Sequence, residues 1–370
     1  MVDLTAPRKQ ISIWWFAFGY FAAYVPYSYM TKVLTEGLLV SPFPEMTKDS
    51  VTVNSFEILP PTIFASIVVM IIFISILGWW KYATQWTLRL GDKKISLPRP
   101  RILTLLSGIC SGLVVVTTTL AYTIEGVSIV FAMLLMRGGL LIMSPIVDTL
   151  NRRYVRWFSW CALGLSLASL FVAFLAKPPS SDSTLFNVML MIDVGIYLAA
   201  YFVRLSLMSK LAKSENADDT KKFFVEEMLI GTPSIFIILF VVSLFYSGQD
   251  ASTFIGGIYA GFHNFLNYPA LVIGLAMAIG FCSQFNGVFG GLILLDKSEN
   301  AFAVPVNRCS SILAGTVATL GLAFFFASYR MPATSEFVGA SFILCAILFL
   351  TIPPQITKRR AKRLAQRSEG

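Results

Sequence analysis

The sequence predicts an all-α polytopic membrane protein of ten transmembrane helices, arranged as two inverted five-helix repeats over residues 1–180 and 181–370. Three observations carry that expectation: the scarcity of charge, the uneven placement of the charge there is, and a set of motifs that recurs in order in the second half.

Of the 370 residues, 56% are hydrophobic and 13% charged, whereas a soluble domain carries roughly 25% charged residues to cover its surface. Apolar stretches near the ~20 residues needed to cross a bilayer recur along the whole chain. The expected spans are 11–31, 58–80, 102–122, 127–147, 157–176, 185–208, 223–246, 267–293, 301–326 and 337–353. Cys110, Cys161, Cys282, Cys309 and Cys345 all fall in apolar stretches, where cysteine behaves as a small buried hydrophobe, so no disulfide framework is implied.

The net charge of +9 is distributed as a topology signal rather than as a nucleic-acid footprint. With a cytoplasmic amino terminus, the inner segments hold Arg8, Lys9, the basic residues of 81–101, Arg152, Arg153, Arg156, Lys210, Lys213, Lys221, Lys222, Lys297 and the tail after Ile356. The outer segments hold only Lys32, Lys48, Lys177 and Arg330. That asymmetry follows the positive-inside rule and places both termini in the cytoplasm. The basic tail from Lys358 to Arg367 also suits contact with anionic lipid.

The first helix carries Tyr20-Phe-Ala-Ala-Tyr24 and the sixth Tyr197-Leu-Ala-Ala-Tyr201. The second opens on Glu57-Ile-Leu and Pro61-Thr-Ile-Phe64, the seventh on Glu227-Met-Leu and Pro233-Ser-Ile-Phe236. Cys110-Ser111 in the third answers Cys282-Ser283 in the eighth. Phe131-Ala132 with Arg137 in the fourth answers Phe302-Ala303 with Arg308 in the ninth. Five helices per copy is an odd number, so the second copy enters the membrane from the opposite side, an arrangement common in secondary transporters. The pairing also assigns the first helix to the mature fold rather than to a signal peptide.

Ten helices as five plus five inverted, with both termini inside, resembles the drug/metabolite transporter superfamily. That group includes the bacterial EamA-type members and the nucleotide-sugar and triose-phosphate transporters. The resemblance implies a secondary transporter that moves a small metabolite by alternating access. Its first, third, fourth, sixth, eighth and ninth spans would surround a central cavity, with the fifth and tenth peripheral. The segment Asp148 to Trp157 sits where the family has a polar turn. Asn307-Arg308-Cys-Ser-Ser311 is similar to the basic pair of organic-phosphate members; Arg308 matches, and Asn307 stands where a companion lysine would be.

Several polar residues fall inside the spans. Arg137 lies ten residues past Val127, about 15 Å deep, where an arginine costs about 2.5–3.5 kcal/mol to insert. Arg308 is its repeat partner. The functional reading is that the two meet near the pseudo-two-fold axis and hold an anionic group in their planar forks; the bland one is that each caps broken-helix carbonyls or pairs with a fixed carboxylate. Arg204 either joins that site or snorkels to the interface. Asp193 is a proton-coupling carboxylate or the structural partner of an arginine on another helix. Tyr20, Tyr24 and Tyr201 offer aromatic hydroxyls to a ligand, or plain packing. Ser111, Gln284 and Asn286 line a cavity or bond between helices. Lys32 with Glu57, and Lys210 with Glu227, are expected as outer and inner gate pairs, or else as interfacial charges.

His263 is the single histidine and falls in an expected outer loop, so no histidine triad or multi-histidine metal site can be assembled. No enzyme activity, metal or cofactor is expected. The function expected is transport of an organic anion bearing phosphate or carboxylate. Alternatives are an exporter of neutral, zwitterionic or lipophilic compounds and, in another class, a channel or lipid scramblase. The expected partners are a small-molecule substrate and membrane lipid, with a homodimer left open and no nucleic acid. The expected location is the plasma (inner) membrane.

Overall fold

The structure is a computed structural model describing residues 12–35, 38, 53–54, 56–83, 85–90, 93–98, 101–121, 129–176, 184–212, 217–326 and 334–368. Arg8, Lys9, Lys48, Lys177, Lys213 and Arg330, all part of the charge balance, lie outside that set, as does the boundary between 180 and 181.

Each expected span coincides with a helix: α1 (Ile13–Thr35), α2 (Leu59–Ile76), α3 (Ile102–Ala121), α4 (Ile129–Leu150), α5 (Trp157–Ala176), α6 (Thr184–Leu211) and α7 (Ala217–Ser243). After a short α8 (Phe254–His263) come α9 (Ala270–Leu294), α10 (Asn300–Phe325) and α11 (Thr334–Ser368). Among the described residues, five stretches are long and apolar enough to cross a membrane: Leu59–Ile76, Leu190–Leu211, Asp218–Ser243, Ala270–Leu294 and Asn300–Phe325. Large apolar side chains such as Trp15, Phe18, Ile76, Phe171 and Phe324 are more than half exposed on the bundle's exterior. Water would penalise such a surface and hydrocarbon accepts it. The chain is a predominantly helical, membrane-embedded bundle with, among the described residues, one small β-hairpin.

Two elements depart from expectation. The basic segment 81–101 contains an antiparallel hairpin, β1 (Gln85–Leu90) and β2 (Lys93–Pro98), in register Gln85↔Pro98 to Leu90↔Lys93. The loop expected around His263 is instead α8. Its start is fixed by Thr253, whose hydroxyl accepts from the Gly256 amide at 3.2 Å. Phe254 and Phe262 seat it against Phe56 of the α2 approach and Phe236 of α7. His263 ends the helix stacked on Tyr259, with ring centroids 4.0 Å apart.

Packing alternates between the two halves. α1 lies along α9 and α10, and α6 lies along α3 and α4; α2 contacts α9, and α7 contacts α3; α5 packs against α11. The α3–α7 and α2–α9 crossings each turn on a glycine, Gly108 and Gly280. A Cβ on Gly108 would stand 2.6 Å from the Ile230 side chain, and one on Gly280 2.3 Å from the Thr62 carbonyl oxygen. Ser66 Oγ tightens the second crossing by donating to the Gly280 carbonyl at 2.8 Å. Gly280→Ala is therefore expected to cost about 1–3 kcal/mol of stability, read as a lower melting temperature in detergent. An unchanged melting temperature would mean that α2 and α9 do not approach this closely.

One end of the bundle is tied by polar contacts. Asp148, at the end of α4, accepts from the Asn300 and Ala301 amides at 2.9 and 2.7 Å and from Asn300 Nδ2 at 2.8 Å. It thus caps α10 from another helix, placing negative charge where the exposed amides of a helix start favour it. Asn300 Nδ2 also donates to Ser209 Oγ of α6 at 2.8 Å. Beside it, Arg156 grips Glu299 with two hydrogen bonds of 2.8 Å, and Ser159 Oγ adds a third at 2.9 Å.

Burial pushes the Glu299 carboxyl up, but the hydrogen bonds and charge of Arg156, with Ser159, outweigh it and hold the group below its usual range. A carboxylate depressed by folding contributes stability above its unfolded pKa and loses it as pH falls through the folded value. Thermal stability should decline as pH drops below the usual carboxylate range, and Glu299→Gln should flatten that part of the profile. Identical profiles for the two proteins would remove Glu299 from the account.

Candidate functional site

A cavity of about 350 Å³ lies between the two halves. α1 contributes Tyr20, α3 Ser111, α6 Tyr201 and Arg204, and α7 Glu227. The rest of the lining is amide-rich, with Gln284 and Asn286 from α9 and Asn307 beside Arg308 from α10. Polar groups collect here because α3, α6, α9 and α10 turn their few polar positions inward while their apolar faces meet the exterior.

The two arginines of the wall are held differently. Arg204 is neutralised by Glu227, Nε to Oε1 at 2.9 Å and Nη2 to Oε2 at 3.2 Å, and Ser107 Oγ donates to the same Oε1 at 2.6 Å. Arg308 donates from Nη2 to the Tyr201 hydroxyl at 2.9 Å, with its guanidinium carbon 5.6 Å from that ring's centroid. Its Nε is buried and has no hydrogen-bond partner, and no ion pair among the described residues includes it. Asn286 Oδ1 is likewise buried without a partner. Two guanidiniums against one carboxylate leave the described wall with one net positive charge.

Five of the expected binding residues therefore converge: Tyr20, Tyr201, Arg204, Asn286 and Arg308. Arg137 and Tyr24 do not line the cavity. The expected meeting of Arg137 with Arg308 is realised only in that both charges act on the Tyr20 phenol. Tyr24 instead continues a stack, its ring 5.5 Å from Tyr20 and 5.6 Å from Tyr27. Asp193 is 3% exposed, with neither oxygen hydrogen-bonded and no arginine paired to it. Among the described residues, the arginine partner expected on another helix is not bonded to it in this conformation.

The gate pairs need correction in this conformation. Glu227 is engaged by Arg204 and Ser107 on the cavity wall, whereas Lys210 is exposed. Six residues on a helix separate Lys210 from Arg204, about 9 Å of rise, so the shorter reach belongs to the arginine. Glu57 accepts from the Tyr268 hydroxyl at 3.1 Å, and no Lys32–Glu57 ion pair occurs among the described residues. Sequence reasoning missed Ser107 and the cavity role of Glu227. Ser107 lies four residues before Ser111, on the same helix face, and that spacing could have pointed to it.

No family model and no curated protein matches the chain. A solved structure described only as "Crystal structure of protein" aligns with 91% of this chain and 98% of its own, with a TM-score of 0.55 and 14% identity. At that identity the likeness concerns the fold alone.

Proposed function

We propose that the chain is a ten-span secondary transporter, built of two inverted five-helix repeats on the drug/metabolite transporter plan, that moves a small organic anion by alternating access. The observation that carries the anion is Arg308, a guanidinium on a cavity wall with Nε unpartnered and no counter-carboxylate among the described residues. A buried charge left unpaired costs several kcal/mol, so a wall that keeps one open is suited to a ligand of opposite sign. The repeat is supported by packing. Exchanging α1 with α6, α2 with α7, α3 with α9, α4 with α10 and α5 with α11 turns the α1–α9 contact into α6–α3 and the α2–α9 contact into α7–α3. Gly108 and Gly280, on which the latter two crossings turn, are 172 residues apart, the same offset as Cys110 and Cys282.

On this reading both termini are cytoplasmic in the plasma membrane, Arg204 and Glu227 form a charge-neutral part of the wall, and Asp193 is the coupling carboxylate. Reconstituted protein should show saturable, trans-stimulated uptake of an organic anion. Flux that rises without saturation would indicate a pore instead. Cysteines placed in 84–98 should label from the cytoplasm and one at Asp250 from outside; the reverse pattern would overturn the topology.

A further inference from the structure

From the charge and hydrogen-bond balance of the cavity we infer that its ligand is a hydroxylated monocarboxylate, carrying one negative charge and no ammonium group. This rests on the reading of the cavity as the substrate site and narrows it.

Arg204 shows how this wall holds a carboxylate: Nε and Nη2 each meet one oxygen of Glu227. On Arg308, Nη2 has only the Tyr201 hydroxyl, and Nε has nothing. A ligand carboxylate at Nε would do for Arg308 what Glu227 does for Arg204. One such group cancels the wall's net charge. A second negative charge would meet no further cation among the described lining residues, since Arg137, whose charge reaches Tyr20, is not one of them, and an uncompensated charge is the costly arrangement for an interior.

An ammonium group fares no better. The only described carboxylate on the wall is Glu227, 4% exposed and already holding Arg204 and Ser107. The Asn286 amide, by contrast, has a buried oxygen in need of a donor, and Gln284 and Asn307 also line the cavity. Hydroxyl groups satisfy those amides without adding charge. The volume, about 350 Å³, lies near the lower end of small-molecule sites, which begin at roughly 300 Å³.

The test holds the carbon skeleton constant and varies charge. Thermal unfolding of the purified full-length protein is titrated with D-glucose, D-gluconate, D-glucarate and D-glucose 6-phosphate, and in a second series with D-glycerate and L-serine. Gluconate and glycerate should each bind about tenfold or more tighter than their neutral, zwitterionic and doubly charged counterparts, and Arg308→Gln should erase the preference. Preference for glucarate or the phosphate ester would overturn the single-charge inference while leaving an anion site in place. Preference for glucose or serine would overturn both the inference and the anion reading. No response to any compound by well-folded protein would reject the hydroxylated monocarboxylate. The wild-type series decides the matter even if Arg308→Gln proves unstable.

Discussion

Arg308→Ala is expected to abolish measurable anion binding while leaving the protein folded and monodisperse. The side chain makes one hydrogen bond, to Tyr201, and keeps an unpartnered Nε, so its removal sacrifices little and relieves an uncompensated charge. Truncating one partner of a buried charged pair costs about 2–5 kcal/mol of affinity, or roughly 30-fold to several-thousandfold. Arg308→Lys keeps the charge but loses the fork and should fall between the two. Tracer uptake into proteoliposomes and ligand-induced melting shifts read both variants. Wild-type uptake by Arg308→Ala would make the arginine structural.

Glu227→Ala is expected to act in the opposite way, through stability. It strips Arg204 of its carboxylate partner and Ser107 of its acceptor, in a place where the Arg204 side chain is 12% exposed. Breaking a buried pair from one side costs about 3–5 kcal/mol, enough to make the protein hard to purify intact. Removing both partners should be milder than removing Glu227 alone, because no charge is then stranded. The Arg204→Ala, Glu227→Ala double variant should therefore melt above Glu227→Ala, and a double-mutant cycle would give the coupling directly. A double variant destabilised by the sum of the two single effects would mean that the pair is not coupled.

The helices were legible because a membrane-spanning helix announces itself by length and apolarity alone. The span expected at 157–176 coincides with α5, and the one at 102–122 with α3 to within a residue. α8 was not legible, since ten residues between Phe254 and His263 are too few to cross a membrane and their partner faces, Phe56 and Phe236, come from elsewhere in the chain. That Arg308 lines the cavity was legible from repeat pairing with Arg137 and its depth, whereas Tyr201 and Asn286 could be read equally as lining or as packing. The partner of Glu227 was not legible. Repeat logic proposed Lys210, but the choice between Lys210 and Arg204 depends on how α6 is rotated against α7, which no periodicity in so uniformly apolar a helix reveals. Arg137 lies outside the lining for the same reason: depth is readable from sequence, azimuth much less so.

The cap on α10 bears on how such a chain can be divided. Asp148 lies in the first half, while the amides of Asn300 and Ala301 that it receives lie in the second. The contacts α1–α9, α3–α6 and α5–α11 also run between halves. On the proposed repeat the halves correspond motif by motif, yet each leans on the other for its packing. Residues 181–370 made alone would present a helix start without its acceptor and α9 without α1 and α2. A half-length chain could meet those demands only by finding a complementary half, which on the inverted reading must lie the other way up in the same membrane.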